Sequence, residues 1–164
     1  MPTESTNPIA ECVTLADYTG PQLLVPRLRE HDTAGIINEL SQVLQRQGWV
    51  PDLLPFYQAA LNQELLANSA MESGIAIPHA RLSGIKRLQF ALGRTAEPVS
   101  WGAGAAAPVQ FIFLLAVPAT DAANYLHLLA SLARLGQQPE ALSQLCSAET
   151  PNAILAALET IGVR

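Results

Sequence analysis

Between Pro108 and Pro118 the chain runs "PVQFIFLLAVP", with Gln110 the one polar interruption. A strand with one wet face alternates apolar and polar residues, so this segment suits a strand covered on both faces. That requirement points to an α/β domain with helices packed on a central sheet. The flanking sequence supplies the cover. Asp32 or Thr33 can cap a helix whose stripe is Ile36, Ile37, Leu40, Val43 and Leu44, and Gly48 is placed to end it. A second helix is predicted from about Asp52 to near Asn68, with Phe56, Ala60 and Leu61 inward and Pro55 tolerable in its first turn.

"QLLVPRL" is predicted to be a short strand with Pro26 at its edge or end, Ile75–Ile77 a second, and "LQFALGRT" a half-buried third. Asp121 opens a helix to about Leu135 with Tyr125, Leu128, Leu129, Leu132 and Leu135 on its apolar side. A short helix from Pro139 has the stripe Leu142, Leu145 and Cys146, which makes Cys146 a core thiol. Thr150-Pro151 starts a last helix with Ile154, Leu155, Leu158 and Ile161 inward. Residues 1–14, rich in Pro, Ser and Thr, are expected to be a flexible leader, and residues 15–164 a single domain.

The chain has 164 residues, 49% hydrophobic and 14% charged, with a net charge of −5. A folded globular protein is expected, and the acidic balance argues against a nucleic-acid binder, whose footprint is a clustered basic face. Two isolated cysteines and three widely spaced histidines give no disulfide framework and no metal site. The polar N-terminus lacks the pattern of a signal peptide, and the apolar run at 111–117 is far short of the ~20 residues a membrane helix needs. A cytoplasmic protein without membrane insertion is expected, and no cofactor is implied.

The segment carrying chemistry is "SGIAIPHARLSG", Ser73 to Gly84. Proline cannot donate to a sheet ladder, so Pro78 is expected to end the strand and leave His79 at its carboxyl end, where open α/β sheets place reactive groups. Ala76 and Ala80 leave room for the ring. A neutral imidazole can act as base, ligand or nucleophile. On spacing alone, a surface or capping histidine carries more weight.

"GIAIPHAR" resembles the signature around the phosphorylated histidine of type-2 enzyme IIA domains of the bacterial phosphotransferase system, the fructose/mannitol/nitrogen-regulatory class. The likeness continues in "EPVSWGAGAAAPVQFIFLLAVP", in "YLHLLASLARL" and in "VPRLREHDTAGIINELSQVLQRQGWV", so it covers nearly the whole chain in the family's order. The resemblance implies helices on both sides of a mixed β-sheet. It also implies that His79 accepts a phosphoryl group from the phosphohistidine of an HPr-type phosphocarrier protein. In that family the group passes to a IIB-type protein or serves as a regulatory mark, so the expected role is a carrier rather than a stand-alone multi-turnover enzyme.

Many members carry R-E-x-x-G-S-T-x-I-G-x-G-I-A-I-P-H where this chain has "QELLANSAMESGIAIPH". Gln63 thus stands in place of the family's active-site arginine, and Glu64 is retained. Ala67, Asn68 and Ser69 replace G-S-T, and Glu72 replaces a glycine. Glutamine donates hydrogen bonds but has neither charge nor guanidinium fork. Glu72 would repel a phosphoryl group if it faced the pocket, and lost glycines can change turn geometry.

The family's second active-site histidine corresponds to Tyr125, whose hydroxyl can bond His79 or phosphate, or which can simply pack on its helix. His127, two residues on, points nearly the opposite way. Arg81 falls on the same side as His79 by strand alternation and can supply cationic charge, or be a solvated strand-end residue. Ser69 matches the family threonine and keeps a hydroxyl for phosphate, and His31 has no role.

The function expected is a IIA-like phosphoryl carrier and regulatory protein, nearer to nitrogen-regulatory signalling than to sugar uptake. The alternative is a regulatory binding module on the same fold that is phosphorylated poorly or not at all. A hydrolase lacks an assembled catalytic set.

Overall fold

The computed structural model describes residues 13–102 and 107–163. In chain order it contains β1 (Leu24–Val25), α1 (Thr33–Arg46), α2 (Leu53–Leu66), β2 (Ile75–Ala76), β3 (His79–Leu82), β4 (Gln89–Val99), β5 (Val109–Pro118), α3 (Ala122–Leu135), α4 (Pro139–Ser147) and α5 (Pro151–Leu158). Two 3-10 turns, Leu15–Tyr18 and Pro21–Leu23, precede β1. Most of the expected leader lies outside the described residues. Val13 and Thr14 belong to the fold: Thr14 bridges Gly162, and the Val13 carbonyl accepts from the Val163 amide at 3.0 Å.

The two-faced burial expected of the long apolar run is what β5 shows. Phe111, Phe113, Leu115 and Val117 enter one hydrophobic layer with Leu128, Leu132 and Leu135 of α3, Leu145 of α4 and Ile154 and Leu158 of α5. Ile112, Leu114 and Ala116 enter the other, with Ile36, Ile37, Leu40 and Leu44 of α1 and Phe56 and Ala60 of α2. Each large aliphatic or aromatic side chain buried this way contributes roughly 1.5–3 kcal/mol. The sheet is mixed: β1 pairs parallel with β4, β4 antiparallel with β5, and β2 and β3 both parallel with β5. Helix starts follow local chemistry, with Asp32, Asp121 and Thr150 accepting from Gly35, Asn124 and Ala153 amides. Gly48 ends α1 at φ +82.

Two expectations are corrected. Pro78 does not end the strand. It interrupts it: β3 resumes at His79 along the same edge of β5, with the Pro78 carbonyl accepting from Leu115 N at 3.0 Å. Proline lacks a donor but keeps its acceptor, so a strand can bend at it without leaving its neighbour. Cys146 is exposed, not a core thiol. Helix α4 turns Ala141, Leu142, Leu145 and Ala148 inward, one position round from the expected stripe.

Candidate functional site

His79 opens β3 on the outer edge of the sheet, opposite the β5 side, where α2 covers one face and α3 the other. A hollow of about 300 Å³ lies there, lined by Ala59 and Gln63 of α2, His79, Ala80 and Arg81 of β3, and Tyr125 of α3. Four of the residues singled out in the sequence therefore share one concavity, although they come from three elements. Ala80 lines the hollow, and both it and Ala76 are buried in the α1–α2 layer. Gln63 is exposed, one residue before Glu64 near the end of α2.

The half-buried imidazole has a partner at each nitrogen. Nδ1 lies 3.4 Å from the Ile77 carbonyl oxygen, and Nε2 lies 3.2 Å from the Tyr125 hydroxyl. The two rings are 5.3 Å apart at their centroids and tilted by 47°. A carbonyl can only accept, so Nδ1 carries the proton in this arrangement and the phenol donates to the Nε2 lone pair. Both separations are long for hydrogen bonds, so neither holds the ring strongly. Burial pushes the Tyr125 phenol above its ordinary value, with the Arg81 charge opposing the shift. Arg81 directs Nε and Nη2 at the Ala119 carbonyl, at 3.1 and 2.9 Å, which leaves the rest of its fork of donors facing outward.

Ser69 stands apart from this rim. Its hydroxyl donates to the Glu64 carboxylate at 2.9–3.0 Å and accepts from the Ile77 amide at 2.8 Å, so its one proton is committed beneath the site rather than offered to the hollow. Glu64, only 4% exposed, also accepts from the Ser69 amide and from Trp101 Nε1, both at 2.7 Å. The Trp101 carbonyl in turn accepts from Asn68 Nδ2 at 2.8 Å. The family likeness takes in both Glu64 and the segment that holds Trp101, but nothing in the spacing signals that two residues 37 positions apart fold together.

The substitutions at 67 and 72 introduce no left-handed backbone conformation. Glu72 is exposed and does not line the hollow. No described non-glycine residue has positive φ, so Ala67 and Glu72 sit in ordinary backbone. Gly74, which the family pattern keeps, is at φ +90 and turns the chain into β2. His127 and His31 are exposed.

Comparison with known proteins agrees with this architecture. The chain is 31% identical over 130 residues to the PTS system fructose-specific EIIABC component of Bacillus subtilis, covering 78% of this chain but only about a fifth, 20%, of that protein. It is 25% identical over 144 residues to a nitrogen regulatory protein of Bradyrhizobium diazoefficiens, covering 88% of this chain and 94% of that one. The crystal structure of nitrogen regulatory protein IIA-Ntr from Neisseria meningitidis superposes with a TM-score of 0.72 at 26% identity, over 88% of this chain and 98% of that one. The model of the family "Phosphoenolpyruvate-dependent sugar phosphotransferase system, EIIA 2" matches residues 23–161, and the chain therefore belongs to that family.

Proposed function

We propose that this protein accepts a phosphoryl group on His79 from the phosphohistidine of an HPr-type carrier, and that the phosphorylated form acts chiefly as a regulatory mark. The observation that carries the reading is the position of His79 Nε2, at the edge of a hollow large enough for a phosphoryl group and free of structural hydrogen bonds other than the phenol's. Nε2 attacks phosphorus in line, the P–N bond of the donor breaks, and the donor ring nitrogen keeps the electron pair. Such transfer asks the protein for alignment and for compensation of charge on the equatorial oxygens. Arg81 is the cation in place for this, with Gln63 able to donate an uncharged hydrogen bond. The Tyr125 hydroxyl must leave Nε2 before attack, which makes it a brake of this chain's own.

The likeness to nitrogen regulatory proteins over nearly their full length supports signalling over sugar uptake. Onward transfer to a IIB-type protein, or contact with a regulatory target, belongs to the same proposal. Among the described residues no helix is long and apolar enough to cross a membrane.

A second reading rests on the same rim: neutral Gln63, a capped Nε2 and an Arg81 tied to a backbone carbonyl suit a binding module that is phosphorylated poorly or not at all. Intact-protein mass after incubation with phospho-HPr separates the two. The proposal expects an acid-labile addition of about 80 Da, absent in His79→Ala. No addition to the wild type, with partner binding indifferent to His79→Ala, would establish the second reading instead.

A further inference from the structure

The buried carboxylate of Glu64 is the one feature of this region that stability alone does not explain. It is 4% exposed, and its three donors, the Ser69 amide, the Ser69 hydroxyl and Trp101 Nε1, are all neutral. Removing a carboxylate from water is costly, and an apolar side chain of similar volume commonly serves a core as well or better. The hydrogen bonds lead from it towards His79. The Ser69 proton must point at Glu64, because the Ile77 amide can only donate and takes the Ser69 lone pair at 2.8 Å. That fixes the nitrogen end of Ile77.

The carbonyl end of Ile77 is fixed by its successor. A residue before proline is confined to extended conformations, and the Pro78 carbonyl is itself held by Leu115 N at 3.0 Å. The Ile77 side chain is 4% exposed in the α3 layer, which removes the remaining freedom. The Ile77 carbonyl that meets His79 Nδ1 is thus aimed from both sides. At 3.4 Å the contact has little margin, and a displacement of a few tenths of an ångström would break it.

We infer that Glu64 and Trp101 are positioning residues for His79: through Ser69 and Ile77 they hold the Nδ1–H tautomer and so leave the Nε2 lone pair facing the hollow. The functional weight of this inference rests on His79 being the phosphoryl acceptor, but the tautomer itself does not. Trp101 closes the chain, because its indole donor holds the Glu64 oxygen that also receives the Ser69 amide, and Asn68 clamps the Trp101 carbonyl from the loop between. Two segments distant in sequence are in this way locked to the peptide that precedes the histidine.

The test is long-range ¹H–¹⁵N NMR of the His79 ring in the full chain, at a pH where the ring is neutral, alongside its reactivity towards phosphoramidate, a small donor that needs no partner protein. The wild type is expected to show mainly Nδ1–H. Ser69→Ala and Trp101→Phe are expected to shift the ring towards Nε2–H and to slow phosphoramidate labelling about tenfold, the low end of what losing a supporting hydrogen-bond partner costs. Ser69→Thr, which keeps the hydroxyl, is expected to retain both properties.

A wild-type ring resting as Nε2–H, or a folded Ser69→Ala protein with the wild-type tautomer, overturns the inference. If Ser69→Ala does not fold, Trp101→Phe, which loses only the indole donor, decides in the same way. The outcome with phospho-HPr is separate. Failure of that donor with the tautomer shifts intact removes the proposed function and keeps the positioning role. Labelling by phospho-HPr with the tautomer unmoved by the variants does the reverse.

Discussion

The floor of the site and its rim differ in how tightly their hydrogen bonds are held. Beneath His79, Glu64, Ser69, Trp101 and Ile77 form a closed set of hydrogen bonds between 2.7 and 3.0 Å, with every donor matched. Around the ring, the contacts stretch to 3.2 and 3.4 Å, a glutamine stands where the family pattern has arginine, and the cation present is turned to a backbone carbonyl. Leaving one member of a buried set unpaired is costly, so a floor of this kind resists the loss of any single partner. A rim in solvent can change one residue at a time at small cost to folding. Under the proposed function, that difference keeps the presentation of the histidine while leaving less positive charge to drive transfer.

The sharpest way to probe the rim is to restore its charge. Gln63→Arg is expected to raise the initial rate of His79 phosphorylation by about two decades, the roughly 3 kcal/mol that one well-placed donor supplies to a transition state. Stopped-flow or quenched labelling with phospho-HPr reads this directly. An unchanged rate would mean that the pocket geometry, not the missing charge, limits transfer.

On the floor, the corresponding change is to stability. Glu64→Ala leaves the Trp101 indole and the Ser69 donors unpaired and is expected to cost about 3 kcal/mol. For a chain of this size that is roughly a 6–12 °C fall in thermal midpoint, measurable by calorimetry. A fall within about 1 °C would dissolve the contrast between floor and rim.

Tyr125→Phe should have a smaller effect on rate. Freeing Nε2 from a hydrogen bond worth about 1 kcal/mol is expected to speed labelling roughly fivefold. A slower rate would assign the phenol to the phosphoryl oxygens instead.

The raised phenol also has a consequence for stability. Tyr125 is held protonated in the folded chain above the pH at which it ionises when unfolded, chiefly by burial, and Tyr18 is raised by burial, then by Asp121 and Asp17. Between the unfolded and folded values the native state binds more protons, so stability falls as pH rises above 10 and the contribution is fully present below it. Denaturant titrations from pH 8 upward are expected to show this decline, with a shallower slope in Tyr125→Phe. The smallest effect belongs to Gln63→Ala, expected to move stability by less than about 0.5 kcal/mol because the side chain is exposed.

Much of this molecule was legible before any coordinates, and the parts that were not share a cause. The unbroken run of β5, the caps at Asp32, Asp121 and Thr150, and the motif around His79 are local signals, and each element formed where its own residues dictate. The resumption of the strand after Pro78 was hidden because it depends on a neighbour, β5, that offers the same edge before and after the proline. Cys146 was misplaced because the rotation of a nine-residue helix is set by what it packs on, and Leu142 and Leu145 fit two adjacent stripes equally well. Gln63, His79, Arg81 and Tyr125 were singled out in the sequence and line the hollow, whereas Ala59 and the part of Ser69 were not foreseen. A hydroxyl matched by motif to phosphate is taken up by a carboxylate and an amide that only folding brings to it.

The most direct test of the whole account is which ring nitrogen carries the phosphorus. Two-dimensional ¹H–³¹P and ¹⁵N spectra of the wild-type chain after reaction with phospho-HPr distinguish the two phosphohistidine isomers. Phosphorus on Nε2 of His79, with Nδ1 still protonated, is the predicted result. Phosphorus on Nδ1, or on any residue other than His79, would contradict it.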